Sequence, residues 1–156
     1  MARPNLHDDG FTYDEAPAGF RAGEIDVGRQ AGGRAINVRL YELPPGERLC
    51  PYHYEYEEEW LLVLAGTVQL RSPQGTEPLP TGAVVCFPPG PDGAHTVTGT
   101  GTEPARVLMF SSSREPAVAV YPDSDKLGVW PPNREDAILV RREDAGRDYW
   151  DRETAG

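Results

Sequence analysis

Residues 53–59 read His-Tyr-Glu-Tyr-Glu-Glu-Glu and run directly into the apolar segment Trp60 to Ala65, which stops at Gly66. His53 and Glu55 are two apart, so on a β-strand their side chains leave from the same face. An imidazole beside a carboxylate is a chelating pair. Glu59 cannot join them along one straight strand, because a rise of roughly 3.3 Å per residue would leave it about 20 Å from His53. A turn is therefore predicted at Tyr56, Glu57 and Glu58, after which Glu59 opens a second strand and folds its carboxylate back toward the first pair. His95 lies behind the loop Pro88-Pro89-Gly90-Pro91-Asp92-Gly93 and ahead of the alternating Thr96-Val97-Thr98, and is the expected fourth ligand. Two His and two Glu suit a divalent transition metal (Zn, Mn, Fe, Ni or Co) better than a hard ion that takes only oxygen. With four protein ligands an octahedral metal keeps positions open to water or substrate, as Lewis-acid or oxygen chemistry requires.

Neighbouring residues carry blander readings. Glu57 and Glu58 read as a solvated acidic turn. Tyr52, Tyr54 and Tyr56 have the opposite strand parity to His53 and Glu55 and are expected to pack outside the pocket. Gln69 and Arg71 are candidates to face inward and hold a polar or anionic substrate, with the surface as the alternative for Arg71. His7 sits in a polar segment and is expected to be solvated. There is no G-x-S-x-G elbow, no phosphate-binding loop, no G-x-G-x-x-G before a helix, no C-x-x-C and no H-E-x-x-H, so nucleophilic catalysis has no signature.

The elements that must position these residues are strands. From Phe20 onward, segments rich in Val, Leu, Ile, Thr and Tyr alternate with Gly/Pro punctuation: residues 24–27, 35–43, 48–55, 59–64, 67–71, 83–87, 95–98 and 105–111. Turn signals such as Pro44-Pro45-Gly46, Ser72-Pro73-Gln74-Gly75, Pro80-Thr81-Gly82 and Gly99-Thr100-Gly101 separate them. No helical period stands out before about Tyr121. The pattern is that of an all-β sandwich or jelly-roll barrel. Residues 1–19 are expected to form an N-terminal arm, 20–113 the barrel, and 114–156 a C-terminal extension packing on the barrel or on a partner subunit. The run Trp60-Leu61-Leu62-Val63-Leu64 is apolar on both faces, so its outer face should be covered; a homodimer built on that surface is expected.

Length and charge narrow the function. The 156 residues fit one domain with a core large enough to fold without staples. A net charge of −10 argues against nucleic acid or an anionic membrane as partner, since both need clustered cations. Lys126 is the only lysine, which leaves little room for Schiff-base chemistry. Met1 to Asp9 is polar and lacks an apolar leader core, so the cytoplasm is expected, with Cys50 and Cys86 as buried thiols on strands. No run approaches the roughly 18 apolar residues of a membrane span.

The spacing His53-x-Glu55-x3-Glu59-x6-Gly66 resembles the first signature of the cupin superfamily, G-x5-H-x-H-x3,4-E-x6-G, with Glu55 at the position of the second histidine and Gly46 one residue further upstream. Gly82-x5-Pro88-x-Gly90 followed by His95 resembles the second signature, G-x5-P-x-G-x2-H-x3-N, with two extra residues before the histidine, Ala83 after the glycine and Gly99 at the asparagine. The segments YPDSDKLGVW and RDYWDRE are similar to the tail of a group of small single-domain bacterial cupins of unassigned function. The resemblance implies a jelly-roll β-barrel, also called a double-stranded β-helix, with His53, Glu55, Glu59 and His95 around a metal inside it. It implies action on a small molecule as a dioxygenase or other oxidoreductase, an isomerase or a lyase. A non-catalytic small-ligand or sensor domain is the alternative.

Overall fold

Along residues 60–71 and 105–109 buried apolar side chains alternate with less buried ones, and the strands so formed close over one another. A computed structural model describes residues 3–154; the first two residues of the expected arm and the last two of the expected extension lie outside it. Every pairing between named strands is antiparallel.

A six-stranded sheet runs in the order β1 (Thr12–Tyr13), β2 (Gly23–Ile25), β3 (Ile36–Leu43), β10 (Ala105–Ser112), β5 (Glu59–Ala65) and β8 (Val84–Phe87). A three-stranded sheet runs β7 (Gly75–Pro80), β6 (Thr67–Ser72), β9 (Thr96–Thr100). Between them lies the core: Leu43, Leu61, Val63, Val68, Leu70, Leu79, Phe87, Val97, Val107 and Met109. These are the inward positions of alternating strands, and each large side chain so buried contributes about 1.5–3 kcal/mol. The architecture is the jelly-roll barrel. A four-stranded sheet then adds β13 (Ile138–Arg141), β12 (Lys126–Trp130), β11 (Ala117–Tyr121) and β4 (Tyr54–Glu55).

Gly66 joins β5 to β6 in a single residue at φ 74°, and a Cβ there would stand 3.0 Å from the Ala105 Cα. Glycine is required on both counts.

Several sequence expectations need correction. The first expected strand leaves the sheet at Ile25, where the Asp26 carboxylate accepts from the Arg29 N–H at 2.8 Å and caps one helical turn, α1 (Val27–Gln30). Strand β7 has no alternation to announce it and carries Pro78 and Pro80, tolerated because it is an edge strand. Residues 48–55 are not one strand: Arg48 and His53 make isolated bridges around a bent segment, and only Tyr54–Glu55 continues as β4. Cys50 therefore lies in the bend, and Cys86 is exposed. Gln69 and Arg71 face outward, because Val68 and Leu70 take the core positions of β6. No helix among the described residues is long and apolar enough to cross a membrane.

Candidate metal centre

His53 and His95 are locked against each other by their own backbones. The His53 N–H donates to the His95 carbonyl at 3.1 Å and the His95 N–H to the His53 carbonyl at 2.8 Å, bringing the ring centroids to 4.9 Å. The Pro88–Gly93 loop delivers His95. Gly90 N–H donates to the Glu55 carbonyl at 2.7 Å, and Gly93 packs so tightly that a Cβ would fall 1.9 Å from the Pro88 carbonyl oxygen.

The outer ring nitrogens are committed to carbonyls, His53 Nδ1 to Pro51 at 3.0 Å and His95 Nδ1 to Gly93 at 2.9 Å. A carbonyl only accepts, so each Nδ1 carries the proton and each Nε2 keeps a lone pair. Glu59, at the start of β5, brings its Oε2 to 3.8 Å from His95 Nε2 and 3.9 Å from His53 Nε2. The ligand atoms of these three residues all lie within 4.8 Å of one another. His95 Nε2 is buried with no hydrogen-bond partner among the described residues. Such an atom costs about 1–3 kcal/mol unless something satisfies it, and two imidazole lone pairs with a carboxylate are the donor set of a divalent transition metal.

Glu55 stands beside this triangle and not within it. Its Oε1 is 3.9 Å from His53 Nε2, but by Glu55 the chain has left His95 and paired with Ala119 of β11. The bend at Tyr56 and Glu57 separates it from Glu59. Glu57 is less solvated than its acidic neighbourhood suggests, since it accepts from the Ser112 hydroxyl and lies 3.8 Å from Arg114. Glu58 accepts from the Trp60 indole at 2.8 Å. The tyrosines stay outside: Tyr54 and Tyr56 meet edge to face, and Tyr52 lies under Arg71. His7 is exposed.

Electrostatics distinguish the groups. Burial, reinforced by the Glu55 charge, pushes the Glu59 carboxyl up to about 8. Burial, with Glu57 adding to it and Arg39 opposing, also raises Glu55. Burial and then the neighbouring His53 hold His95 down at about 3, and burial likewise lowers His53. Both imidazoles are thus neutral near pH 7, as ligands must be. Phe87 stacks on His95 with centroids 3.6 Å apart, and the Cys50 thiol sits 3.4 Å from His53 Nδ1.

A cavity of about 340 Å³ opens above the three groups. Its walls include Arg39 and Tyr41 of β3 and Tyr121, Trp130 and Arg134 of the C-terminal segment. Tyr121 stacks on His53 at 5.8 Å, and Trp130 meets Tyr121 edge-on. Arg39, paired with Glu24 at 3.1 Å, and Arg134, 3.8 Å from Glu115, bring the cations to these walls and keep partly exposed side chains. None of these five was singled out from the sequence. Asn37, Arg39 and Tyr41 share the inward parity of β3 with no apolar residue among them, which was the available signal; the C-terminal walls depend on long-range pairing.

A β-barrel holding histidines and a carboxylate on its inner wall defines the class. The family model described as the cupin domain matches residues 39–111, the span that contains His53, Glu59 and His95. Among solved structures, the chain resembles a candidate sugar phosphate isomerase of Acidithiobacillus ferrooxidans, at 28% identity over 81% of this chain and 80% of that one, with a TM-score of 0.73. It also resembles a cupin-superfamily sugar phosphate isomerase of Silicibacter pomeroyi, at 23% identity over 90% of this chain and 94% of that one, TM-score 0.76. A third similar structure is the polyketide cyclase RemF of Streptomyces resistomycificus, at 21% identity over 75% and 83%, TM-score 0.62. No curated protein matches the chain.

Proposed function

We propose that this cupin is a metal-dependent enzyme acting on a small anionic molecule, and that the reaction is an isomerisation of an α-hydroxycarbonyl compound such as a sugar phosphate. The observation that carries the metal is the buried, unpartnered His95 Nε2 facing His53 Nε2 and Glu59. The reaction class rests on the 28% identical neighbour named as a candidate sugar phosphate isomerase, together with two arginines lining a cavity of about 340 Å³.

In this reading His53, Glu59 and His95 hold the ion, with Glu55 as the fourth ligand or, when free of it, the base. The ion, when bound, polarises the substrate oxygens as a Lewis acid. Glu55 removes the proton from the carbon bearing the hydroxyl and returns it to the adjacent carbonyl carbon, while a second proton passes from the hydroxyl oxygen to the carbonyl oxygen. A carboxyl pushed up by burial is suited to taking and giving back a proton near neutral pH. Arg39 and Arg134 orient the anionic group, and Tyr121 and Trp130 exclude water from the far wall.

The expected experiment is turnover of phosphorylated aldoses and ketoses by metal-loaded protein. Glu55→Gln should retain metal and lose about 100-fold or more of the rate. Saturable binding without turnover would instead make the domain a small-ligand binder, and unchanged turnover in Glu55→Gln would remove the base from it. We further propose that the protein is a cytoplasmic homodimer, with residues 1–19 as an arm, 20–113 as the barrel and 114–156 as the extension.

A further inference from the structure

We infer that the protein carries a second ligand site, an anion-binding groove on the outside of the β7–β6–β9 sheet that takes a phosphate group. Arg71 of β6 pairs with Thr76 and Thr96, Gln69 with Thr98, and Arg48 bridges to Thr98. With Val68 and Leu70 committed to the core, Gln69 and Arg71 stand on the outer face, where the bent segment 48–52 and the Asp123–Lys126 turn wall a cavity of about 730 Å³.

Three cations line this groove, Arg48, Arg71 and Lys126, against the single carboxylate of Asp123, a formal excess of two positive charges. The chain as a whole carries −10, so the concentration is local. Arg71 is fixed by a two-pronged pair to Asp123 at 2.5 and 2.9 Å and lies 4.0 Å over the Tyr52 ring. Neither Arg48 nor Lys126 is within ion-pair distance of a carboxylate among the described residues, although the Arg48 charge reaches Asp123; Arg48 rests over Phe20 at 5.6 Å and Lys126 near Tyr121 at 5.5 Å. Thr76, Thr98 and Ser124 add hydroxyls. Two cations without a close ion pair, beside a pre-oriented guanidinium and neutral hydroxyl donors, suit a compact dianion with several acceptor oxygens, which is a phosphate.

The groove is separate from the metal cavity yet backs onto it. Leu49 and Cys50 line both, and the Thr96 hydroxyl donates to the Cys50 carbonyl at 2.7 Å, so one short segment divides the two occupants.

The test is a titration of the full-length protein with inorganic phosphate, and in parallel with glucose 6-phosphate, followed by amide ¹H–¹⁵N shifts at constant ionic strength in chloride. Saturable shifts are expected at Gln69, Arg71, Thr98 and Lys126. Arg48→Gln, at an exposed position, and Lys126→Gln, at a half-buried one, should each weaken them about tenfold, with thermal melts reporting that the variants stay folded. Binding by free phosphate identifies the group alone as sufficient, and binding by the ester alone identifies a phosphorylated metabolite; both support the site. Glu59→Gln, which disables the metal centre, should leave the shifts in place, so failure of the metal reading does not imitate failure here. The inference is overturned if neither anion shifts these amides saturably, if both Gln variants bind as the parent does, or if the shifts vanish in Glu59→Gln.

Discussion

At the residue scale Glu59 and His95 titrate in opposite senses. Glu59, at about 8 when folded against an ordinary 4.5, holds a proton that an unfolded chain has released. In the metal-free protein its contribution is therefore present below about pH 4.5 and lost as pH rises through about 8. His95, at about 3 against 6.5, behaves oppositely: its contribution is present above 6.5 and lost as pH falls toward 3. Above pH 6.5 the His95 contribution is complete and the raised carboxyls, Glu59 foremost and Glu55 in the same direction, set the slope, so the melting temperature of chelator-treated protein should fall between pH 6.5 and 8. The metal-loaded protein, whose Glu59 is held as carboxylate, should not show that fall. Metal uptake near pH 7 should also release about one proton per chain, measurable by titration calorimetry in buffers of different ionisation enthalpy. Uptake without proton release would mean that Glu59 is not a ligand.

At the element scale, the loop before β9 holds His95 through backbone alone. Gly93→Ala would drive a methyl to within 1.9 Å of the Pro88 carbonyl oxygen, so we expect it to destabilise the fold by about 1–3 kcal/mol and to weaken metal binding together with stability, read by denaturant melts and metal titration. Much of this geometry was legible in the sequence because it is local: the turn between Glu55 and Glu59 follows from strand rise, and the signature spacing pointed to His95. The cavity wall was not, because Tyr121, Trp130 and Arg134 reach it only through the pairing of β11 with β4, a contact between residues more than sixty positions apart. Edge strand β7, with two prolines and little alternation, carried no local signal either. Trp130→Ala, which removes the wall behind Tyr121, should raise KM more than it lowers kcat in the proposed reaction; a change confined to kcat would place Trp130 in the chemistry.

At the scale of the whole molecule, one face of the large sheet is unfinished. Trp60, Leu62 and Leu64 alternate with core residues Leu61 and Val63 and remain half-buried; Trp60 stacks on Phe110 at 6.1 Å, while Val84 on the neighbouring strand is exposed. An apolar strip of this kind is what a second copy would cover. Light scattering at micromolar concentration should give twice the chain mass, and Leu62→Glu should shift the protein to monomer; a monomeric parent would contradict the dimer without touching the metal centre.

Whether His53, Glu59 and His95 hold a transition metal is decided by elemental analysis of natively purified protein. About one equivalent of Zn, Mn, Fe, Ni or Co per chain is expected in the parent, with only a small fraction of it in a folded Glu59→Gln variant. A folded parent without transition metal, or equal metal content in the two proteins, would contradict that assignment.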